Sequence, residues 1–258
     1  MIIKVAVCGA AGRMGRLVVR QVEMQDDMKV VAAIDSPGNP MIGKDAGLFA
    51  GVRKLGVKIE SSNKLDEILR SSKPKILMDF TVAKSSVKNV KAASKAGVAV
   101  VVGTTGFTPR QRREMEEAIQ EGKIRAIISP NFSVGVNVFF KVAREAVRLL
   151  GKDYEPGIEE IHHIHKRDAP SGTALKVAEI ISEELGIDRE KIRIKSLREG
   201  EVVGEHTLIF SNPYEQLDIM HRARSRETFA TGAVKAARYI LKKGKPGVIK
   251  DMHDLLGF

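Results

Sequence analysis

The chain has 258 residues, 43% of them hydrophobic and 29% charged, a composition that excludes a disordered chain and predicts one large domain or two ordinary ones. Its apolar runs fall short of the roughly 20 residues that span a bilayer, and its single cysteine excludes an internal disulfide, so we expect a cytoplasmic protein without membrane contact. The formal net charge of +11 is spread along the chain with few aromatic residues for base stacking, which favours an anionic small substrate over nucleic acid.

The first half of the chain alternates between short apolar runs and amphipathic stretches. Strands are predicted at 2–7, 30–34, 76–80, 98–102 and 124–128. Helices are predicted between them, at about 85–95 and at 109–121, where Thr108 is a cap and Pro109 occupies the first turn. Continuous apolar strands separated by helices are typical of an α/β domain with a parallel, doubly wound, Rossmann-like sheet.

A glycine-rich segment follows the first strand directly and opens the first helix. Gly9, Gly12 and Gly15 allow a tight turn and a close approach to a pyrophosphate, which the free N–H groups of a helix start stabilise. Asp35 ends the second strand, where a carboxylate accepts hydrogen bonds from an adenosine ribose. The pattern predicts a dinucleotide site, although the G-x-x-G-x-x-G spacing differs from the usual one and a tight turn without ligand is the alternative.

The same acid bears on the choice between NADH and NADPH. The Asp35 carboxylate repels a 2′-phosphate and is followed by Ser36 and Pro37 instead of an arginine, which favours NADH. Arg13 is within reach of a phosphate, so NADPH stays open. Two later loops at strand ends, Gly103-Thr104-Thr105 and Ser129-Pro130-Asn131-Phe132, are expected at the same sheet edge, near the nicotinamide.

The second half of the chain follows a different pattern. After a helix at about 135–150, strands are predicted at 157–164, 192–198, 206–211 and 217–223, interrupted by a helix at 173–185 that stops at Gly186. This order predicts a second, α+β domain on an open, mixed and largely antiparallel sheet. We expect a dinucleotide-binding domain at 1–131, to which 232–258 returns through a helix near 233–242, and a substrate-binding and oligomerisation domain at 132–231.

The segment 159–173, EEIHHIHKRDAPSGT, concentrates chemistry in fifteen residues. Imidazole and ammonium groups are costly to bury unpaired, so a core does not explain the segment. A histidine or lysine can donate a proton, and Ser171-Gly172-Thr173 at a helix start forms a pocket for a carboxylate or phosphate. A metal site is disfavoured because adjacent histidines diverge and cations surround them. A solvated basic loop is the remaining alternative.

Several strings together resemble the dihydrodipicolinate reductase family, also called 4-hydroxy-tetrahydrodipicolinate reductases. They span nearly the whole chain and read VAVCGAAGRMGR, MDFT, VVGTTGF, SPNFSVGVN, EIHHIHKRDAPSGTA and SRETFATGA. The resemblance implies NADH- or NADPH-dependent reduction of a cyclic imine dicarboxylate to tetrahydrodipicolinate, in diaminopimelate and lysine biosynthesis, by a homotetramer. Many members have a glutamate-arginine pair where this chain has Asp35-Ser36, which leaves the NADPH preference open.

The resemblance also implies roles for single residues. His162 matches a proton donor or acceptor, Lys166 a proton donor, and His163, Gly172 and Thr173 substrate contacts. Cofactor contacts match Gly9, Ala10, Ala11, Gly12, Arg13, Met14, Asp35, Gly103, Thr104, Thr105, Ser129, Pro130, Asn131 and Phe132. The alternative is another two-domain NAD(P)-dependent amino-acid or semialdehyde dehydrogenase. An acylating semialdehyde enzyme needs a catalytic cysteine, whereas Cys8 ends the apolar run of the first strand, before the glycine loop.

Overall fold

A computed structural model describes residues 2–258 and divides the chain into two compact units. The first contains the chain up to Ser133 together with Phe229–Gly257, and the second contains Val134–Thr228 and Phe258. None of the helices among the described residues is both long enough and apolar enough to cross a membrane.

The first unit is built on a seven-stranded parallel sheet. Its strands are β1 Ile3–Cys8, β2 Met28–Asp35, β3 Ile59–Ser61, β4 Ile76–Asp79, β5 Ala99–Val102, β6 Ala126–Ile128 and β11 Ile249–Lys250. Their order in the sheet is β11-β6-β5-β4-β1-β2-β3. Every residue of β4, β5 and β6 is buried, because helices cover such a sheet on both faces. The order reverses between β1 and β4, where doubly wound sheets bind their ligands.

The helices of this unit connect the parallel strands. They are α1 Arg13–Glu23, α2 Ala46–Ala50, α3 Leu65–Ser72, α4 Ala83–Lys95, α5 Pro109–Glu121, most of α8 Glu227–Lys243, and α9 Met252–Leu256. The predicted start of α5 is confirmed: the Thr108 hydroxyl accepts from the Gln111 N–H at 3.2 Å, and Pro109 follows. The sequence analysis missed α2, α3, α9, β3 and β11, which are two to eight residues long and carry too few residues for a periodic signal.

The second unit packs two helices on a four-stranded sheet. Its helices are α6 Val134–Leu150 and α7 Gly172–Leu185, and its strands are β7 Glu155–His162, β8 Arg193–Arg198, β9 Gly204–Ser211 and β10 Gln216–Ala223. The order is β10-β9-β7-β8, with β7 parallel to β8 and antiparallel to β9. The predicted fold class, a Rossmann-like parallel sheet with a second α+β domain on a mixed sheet, is confirmed.

One predicted strand is too long. The sequence analysis extended it to Ile164, but β7 ends at His162. The chain then turns, with the Lys166 N–H donating to the His163 carbonyl at 3.1 Å, and the Ile164 side chain is exposed. Strand alternation therefore holds for Glu160 and His162, which are buried on one face, and does not extend to Lys166.

Candidate functional site

The glycine loop between β1 and α1 makes close backbone contacts that side chains would prevent. Gly9 has φ +80, and a Cβ built there would lie 2.4 Å from the Phe80 carbonyl oxygen. A Cβ on Gly15 would lie 1.9 Å from the Gly9 carbonyl oxygen. The loop can keep this shape only with glycine at both positions, and the shape fits a backbone cradle for a pyrophosphate.

The start of α1 and the end of β2 meet at this loop. Gly12 is the N-cap of α1, with no side-chain cap and no acidic residue in the first turn, so the helix start is electropositive. The Asp35 carboxylate accepts from the Ala11 N–H at 2.8 Å and from the Ser36 N–H at 2.8 Å. Oδ1 also accepts from Asn39 Nδ2 at 3.1 Å and from Ser36 Oγ at 3.3 Å. Asp35 therefore holds the glycine loop and its own turn, and Oδ2, which among the described residues accepts only from Ala11, keeps a lone pair for a ribose hydroxyl.

Two open cavities border the carboxyl ends of the strands in this unit. One of about 440 Å³ is lined by Met14, Phe80, Thr81, Val82, Ala83, Gly103, Thr104, Thr105 and Gly106. The other, of about 420 Å³, is lined by Thr104, Thr105, Gly106, Phe107, Thr108, Pro109, Arg112, Ile128 and Pro130. The structure thus brings Met14, Gly103, Thr104, Thr105 and Pro130, all expected from the sequence, to the edges of adjoining cavities.

A buried carboxylate that the sequence analysis did not assign holds the Gly103–Thr105 loop. Asp79 is fully buried at the end of β4 and accepts from Thr104 Oγ1 at 2.6 Å, Thr81 Oγ1 at 2.9 Å and Asn89 Nδ2 at 2.6 Å. The Thr104 hydroxyl also accepts from the Thr81 N–H at 2.9 Å, so both its donor and acceptor functions are used. The backbone of the loop and the exposed residue Thr105 are therefore available to contact a ligand.

The segment Ser129–Phe132 is a turn held by its own side chains. Ser129 Oγ donates to the Asn131 carbonyl at 2.9 Å, and Asn131 Oδ1 accepts from the Ser133 N–H at 2.9 Å. The Phe132 ring is buried and packs on Phe80 with the ring centroids 6.1 Å apart. Any contact between Phe132 and a ligand is therefore made by the backbone of Phe132.

In the second unit, a row of polar residues crosses the sheet. Glu160 on β7 is the register partner of Ser196 on β8 and of His206 on β9, and His206 in turn opposes His221 on β10. His162 lies two residues after Glu160 on the same face, and its ring stands edge-on to His206 with centroids 5.0 Å apart. A predicted catalytic residue therefore sits among groups that the sequence analysis left unassigned, because register across strands is not visible in a single sequence.

Glu160 is the centre of this row. Burial raises the pKa of the carboxyl, but the nearby polar side chains of His162, Ser171 and Ser196 outweigh this effect, and the pKa lies well below its ordinary value. The side chain is inaccessible to solvent. The carboxylate therefore stays ionised inside the unit, as an acceptor for every neighbouring donor.

His206 is kept neutral by its surroundings. Burial lowers the pKa of its imidazole to about 3, with repulsion from His162 as the next cause. Its Nε2 lies 3.1 Å from Ser171 Oγ, which also accepts from the Ala174 N–H at 3.2 Å as the N-cap of α7. The ring nitrogen and the hydroxyl therefore share a hydrogen bond beside the start of α7.

Lys166 lies in the turn after β7. Its Nζ contacts the Asp168 carboxylate at 2.9 and 2.7 Å, and 19% of its side chain is exposed. Arg198 on β8 supports this turn by donating from Nη2 to the Asp168 carbonyl at 2.5 Å. His163 is partly exposed, and burial followed by repulsion from Arg226 lowers its pKa. Arg226 belongs to the string SRETFATGA, but the sequence analysis gave it no role.

The start of α7 offers an anion site beside these cations. Ser171 uses its side chain on Ala174 and donates its own N–H to Glu160 Oε1 at 3.1 Å. The N–H groups of Gly172 and Thr173 belong to the first turn, which has no intrahelical acceptors. A Cβ on Gly172 would meet no atom within 4 Å, so the space before the helix is open. A carboxylate fits there.

Three side chains of the row also converge closely enough for a cation. The ligand atoms of Glu160, His162 and His206 lie within 4.8 Å of one another, and a carboxylate with two imidazoles is a set that zinc accepts. His162 and His163 diverge as expected, and the convergence comes from β9 instead. The guanidinium of Arg198, 3.5 Å from Glu160, already supplies positive charge to the carboxylate. Glu160 Oε2 and His162 Nδ1 have no hydrogen-bond partner within residues 2–258, and the absence of a metal stays a prediction.

The neutral state of His206 predicts a loss of stability in mild acid. Below pH about 6.5 the unfolded chain binds a proton at this histidine and the folded chain does not, until the pH falls to about 3. Protonation thus favours unfolding, by up to about 1.4 kcal/mol per pH unit. We expect His206→Gln to flatten the fall of the unfolding free energy between pH 6.5 and 5, measured by urea titration. Parallel curves for variant and parent would contradict this.

Comparison with known proteins adds a family to this geometry. The family model described as dihydrodipicolinate reductase, N-terminus, matches residues 3–132, and the one described as dihydrodipicolinate reductase, C-terminus, matches 135–256. The chain is 46% identical to a 4-hydroxy-tetrahydrodipicolinate reductase of Methanocaldococcus jannaschii, covering 99% of this chain and 97% of that protein. It is 48% identical to the enzyme of that name from Methanosarcina barkeri, with 99% of each covered.

A solved structure shares the fold over nearly the same extent. The dipicolinate-bound dihydrodipicolinate reductase from Paenisporosarcina sp. TG-14 superposes with a TM-score of 0.79 at 23% identity. The superposition covers 97% of this chain and 98% of that one.

Proposed function

Since the chain belongs to the dihydrodipicolinate reductase family, we propose that it reduces 4-hydroxy-tetrahydrodipicolinate to tetrahydrodipicolinate, with release of water, in diaminopimelate and lysine biosynthesis. The family and the enzyme class predicted from the sequence are thereby confirmed. The observation that carries the proposal is the full-length match to relatives of that name at 46% and 48% identity.

The residues of the first unit fit a nicotinamide dinucleotide. The glycine loop provides a backbone cradle that a Cβ at Gly9 or Gly15 would fill, and the start of α1 lacks a side-chain cap. We assign the pyrophosphate to residues Gly9–Met14, the adenosine ribose to Asp35, and the nicotinamide end to the Gly103–Thr105 and Ser129–Phe132 loops. Loss of the 4-hydroxyl group of the substrate as water leaves a C=C bond conjugated to the imine, and the reduced nicotinamide, when bound, would supply a hydride to that conjugated carbon.

The residues of the second unit handle charge and protons on the substrate. As hydride arrives, negative charge develops towards the ring nitrogen, and the Lys166 ammonium stabilises it and donates the proton. The N–H groups of Gly172 and Thr173 hold one substrate carboxylate, and His163 contacts the substrate beside them. His162 is 7% exposed, so we assign it to the inner wall of the site, as a proton-holding group that orients the substrate.

The substrate carries two carboxylates, which fits the cations of this unit. The Paenisporosarcina reductase binds dipicolinate, a planar dicarboxylate. We propose the same class of ligand here, a homotetramer as the assembly, and a cytoplasmic location, which suits the buried free thiol of Cys8. No role with nucleic acid or membranes is proposed.

The rival, an acylating semialdehyde dehydrogenase, needs a reactive thiolate. Burial, with repulsion from Asp79 and Asp35, raises the pKa of the Cys8 thiol well above its ordinary value. The thiol lies at the end of β1 with 1% exposure. It is therefore a core residue, and the chain contains no second cysteine to replace it.

An assay tests the proposed function directly. The substrate is made in place by an aldolase from pyruvate and aspartate semialdehyde, and oxidation of NADH or NADPH is followed by absorbance. We expect oxidation with the condensation product and none with aspartate or homoserine. Oxidation that needs aspartate semialdehyde but not the aldolase would favour the rival enzyme.

We propose NADH as the preferred cofactor, and Ser36 is the position that tests it. Asp35 is a poor target because it also holds Ala11 and its own turn, whereas Ser36 is exposed and follows it directly. Ser36→Arg is expected to lower KM for NADPH by about tenfold, since it adds a planar cation for the 2′-phosphate. Ser71→Arg, exposed at the opposite edge of the sheet, is the matched control. An unchanged KM ratio in Ser36→Arg would contradict this placement of the ribose.

A further inference from the structure

Glu160 receives donors from several elements of the second unit. Its Oε1 accepts from the Ser171 N–H at 3.1 Å and lies 3.5 Å from both Arg198 Nη1 and Arg198 Nη2. Its Oε2 lies 3.3 Å from His162 Nδ1 and 3.9 Å from His206 Nε2. The carboxylate thus faces β7 itself, β8, β9 and the start of α7, with no solvent access.

The protonation of the neighbouring histidines follows from these contacts. An ionised carboxylate is acceptor-only, so the nitrogen that faces it must carry a hydrogen. His206 Nε2 bonds to Ser171 Oγ and lies 3.9 Å from Oε2, whereas His162 Nδ1 lies 3.3 Å from Oε2, so His162 is the histidine nearer to this oxygen. Within residues 2–258, Nδ1 of His162 has no hydrogen-bond partner that meets the geometric criteria, and the carboxylate at 3.3 Å is the charged group that faces it. An acceptor-only carboxylate at this distance favours a hydrogen on Nδ1 of His162.

The other ring nitrogen of His162 packs beside Gly204. A Cβ on Gly204 would lie 3.0 Å from His162 Nε2, so glycine at this position of β9 lets the imidazole lie this close. In the tautomer with its hydrogen on Nδ1, Nε2 carries the lone pair. It is the atom with which His162 can accept a proton.

The Glu160 carboxylate is connected to the Lys166 turn through Arg198 and to the anion site through Ser171. Arg198 lies against Glu160 and donates from Nε to the Lys166 carbonyl at 3.3 Å and from Nη2 to the Asp168 carbonyl at 2.5 Å. Ser171, bonded through its N–H, immediately precedes Gly172 and Thr173. One buried group therefore connects the three parts that the proposed mechanism needs: the imidazole, the ammonium and the carboxylate-binding helix start.

We propose that Glu160 is the positioning residue of this site. It fixes His162 in the Nδ1-protonated form and holds the Lys166 turn and the start of α7 in place. The inference rests on the proposed function for its kinetic part. Glu160 has no contact with substrate in this account and acts through its neighbours.

The test uses Glu160→Gln, which keeps the shape of the side chain and removes its charge. The amide can still accept from Ser171 but presents N–H hydrogens to His162 Nδ1, so it favours the opposite tautomer, protonated on Nε2. We expect kcat to fall at least about 100-fold, since a wrong tautomer in a catalytic histidine costs up to about 10⁴ in kcat. The Kd for NADH should stay within about twofold, because the cofactor residues belong to the other unit.

The neighbouring glutamate provides a matched control. Glu159 carries the same charge on the same strand but pairs with Lys195 at 2.7 Å and is partly exposed. Glu159→Gln is expected to keep kcat within about twofold, as for an exposed ion pair. Glu160→Asp, which keeps the charge on a shorter side chain, should recover part of the activity lost in Glu160→Gln.

A second measurement does not depend on turnover. Long-range ¹⁵N–¹H correlation spectra of the whole protein report which ring nitrogen of each neutral histidine carries the proton, and the His162 signals are those missing from His162→Asn. We expect Nδ1–H in the parent and Nε2–H in Glu160→Gln. Nε2–H in the parent overturns the proposal even if Glu160→Gln fails to fold, and so does a kcat in a folded Glu160→Gln equal to the parent's. Absence of turnover in the parent overturns the proposed function instead, and the tautomer result still stands.

Discussion

Replacing Lys166 with alanine is expected to lower kcat by about 10²- to 10⁴-fold, the range that a positioned proton donor contributes, while the Kd for NADH stays near that of the parent. The ammonium is the cation we assign to the charge that develops at the substrate nitrogen. Asp168 is its partner in the structure, at 2.7 Å, and that carboxylate is itself 62% exposed. Such a surface pair is weak. The ammonium therefore remains available when a dianionic substrate binds.

Steady-state kinetics and a fluorescence titration with NADH measure the two quantities separately. Lys191→Ala is the matched control, because Lys191 is an exposed lysine of the same unit. We expect it to leave both kcat and Kd unchanged. Turnover of Lys166→Ala at the rate of the parent would refute the role assigned to Lys166.

Gly9→Ala is the second change with a large expected effect, a loss of NADH affinity of at least about tenfold together with lower stability. The added methyl group would lie 2.4 Å from the Phe80 carbonyl oxygen, and φ +80 itself costs an alanine about 1–2 kcal/mol. Relief of the contact must move either the glycine loop or the end of β4. Both border the proposed pyrophosphate and nicotinamide positions.

Gly97→Ala separates backbone strain from the contact. Gly97 also has a positive φ, of +67, but a Cβ there would meet no atom within 4 Å, and the residue precedes β5 at the opposite edge of the sheet. Thermal unfolding should show a smaller loss for Gly97→Ala, and isothermal titration should show unchanged NADH binding. Equal NADH affinities for Gly9→Ala and the parent would contradict the assignment of the loop.

The sequence was most informative where a signal is local. The buried strands, the Thr108–Pro109 start of α5 and the Gly186 end of α7 each depend on a few adjacent residues, and the structure confirms them. The segment 159–173 could be identified as part of a functional site because its composition does not suit a hydrophobic core. The presence of a second, α+β domain also followed from the change in hydrophobic period.

The groups that organise the site depend on pairings between distant parts of the chain. Glu160 meets His206 and Ser196 because of the register of β7 with β9 and β8, which a single sequence does not reveal. Arg198 reaches the Lys166 turn for the same reason. Asp79 could have been identified from the sequence, because it is an acid that ends an apolar strand, as Asp35 does. Only Asp35 was assigned a role.

The end of β7 was predicted too far along the chain. The strand predicted at 157–164 runs beyond His162, where the backbone turns and Lys166 lies outside the strand. Pro170, four residues after Lys166, is compatible with a turn in this region but does not show the residue at which the turn begins. Boundaries of this kind depend on the tertiary bonds of the turn, here from Ile164 to Gly200 and from Glu199 to His162.

Transfer of deuterium tests the central claim most directly, that this chain delivers hydride from a reduced nicotinamide to the cyclic imine. The parent protein is given NADH carrying deuterium at both nicotinamide C4 positions, with freshly condensed substrate, and the product is analysed by mass spectrometry. We expect tetrahydrodipicolinate with one deuterium per NADH oxidised, and labelling at least about 10²-fold slower with Lys166→Ala. Oxidation of NADH without label in this product, or no oxidation in the presence of the substrate, would contradict the account.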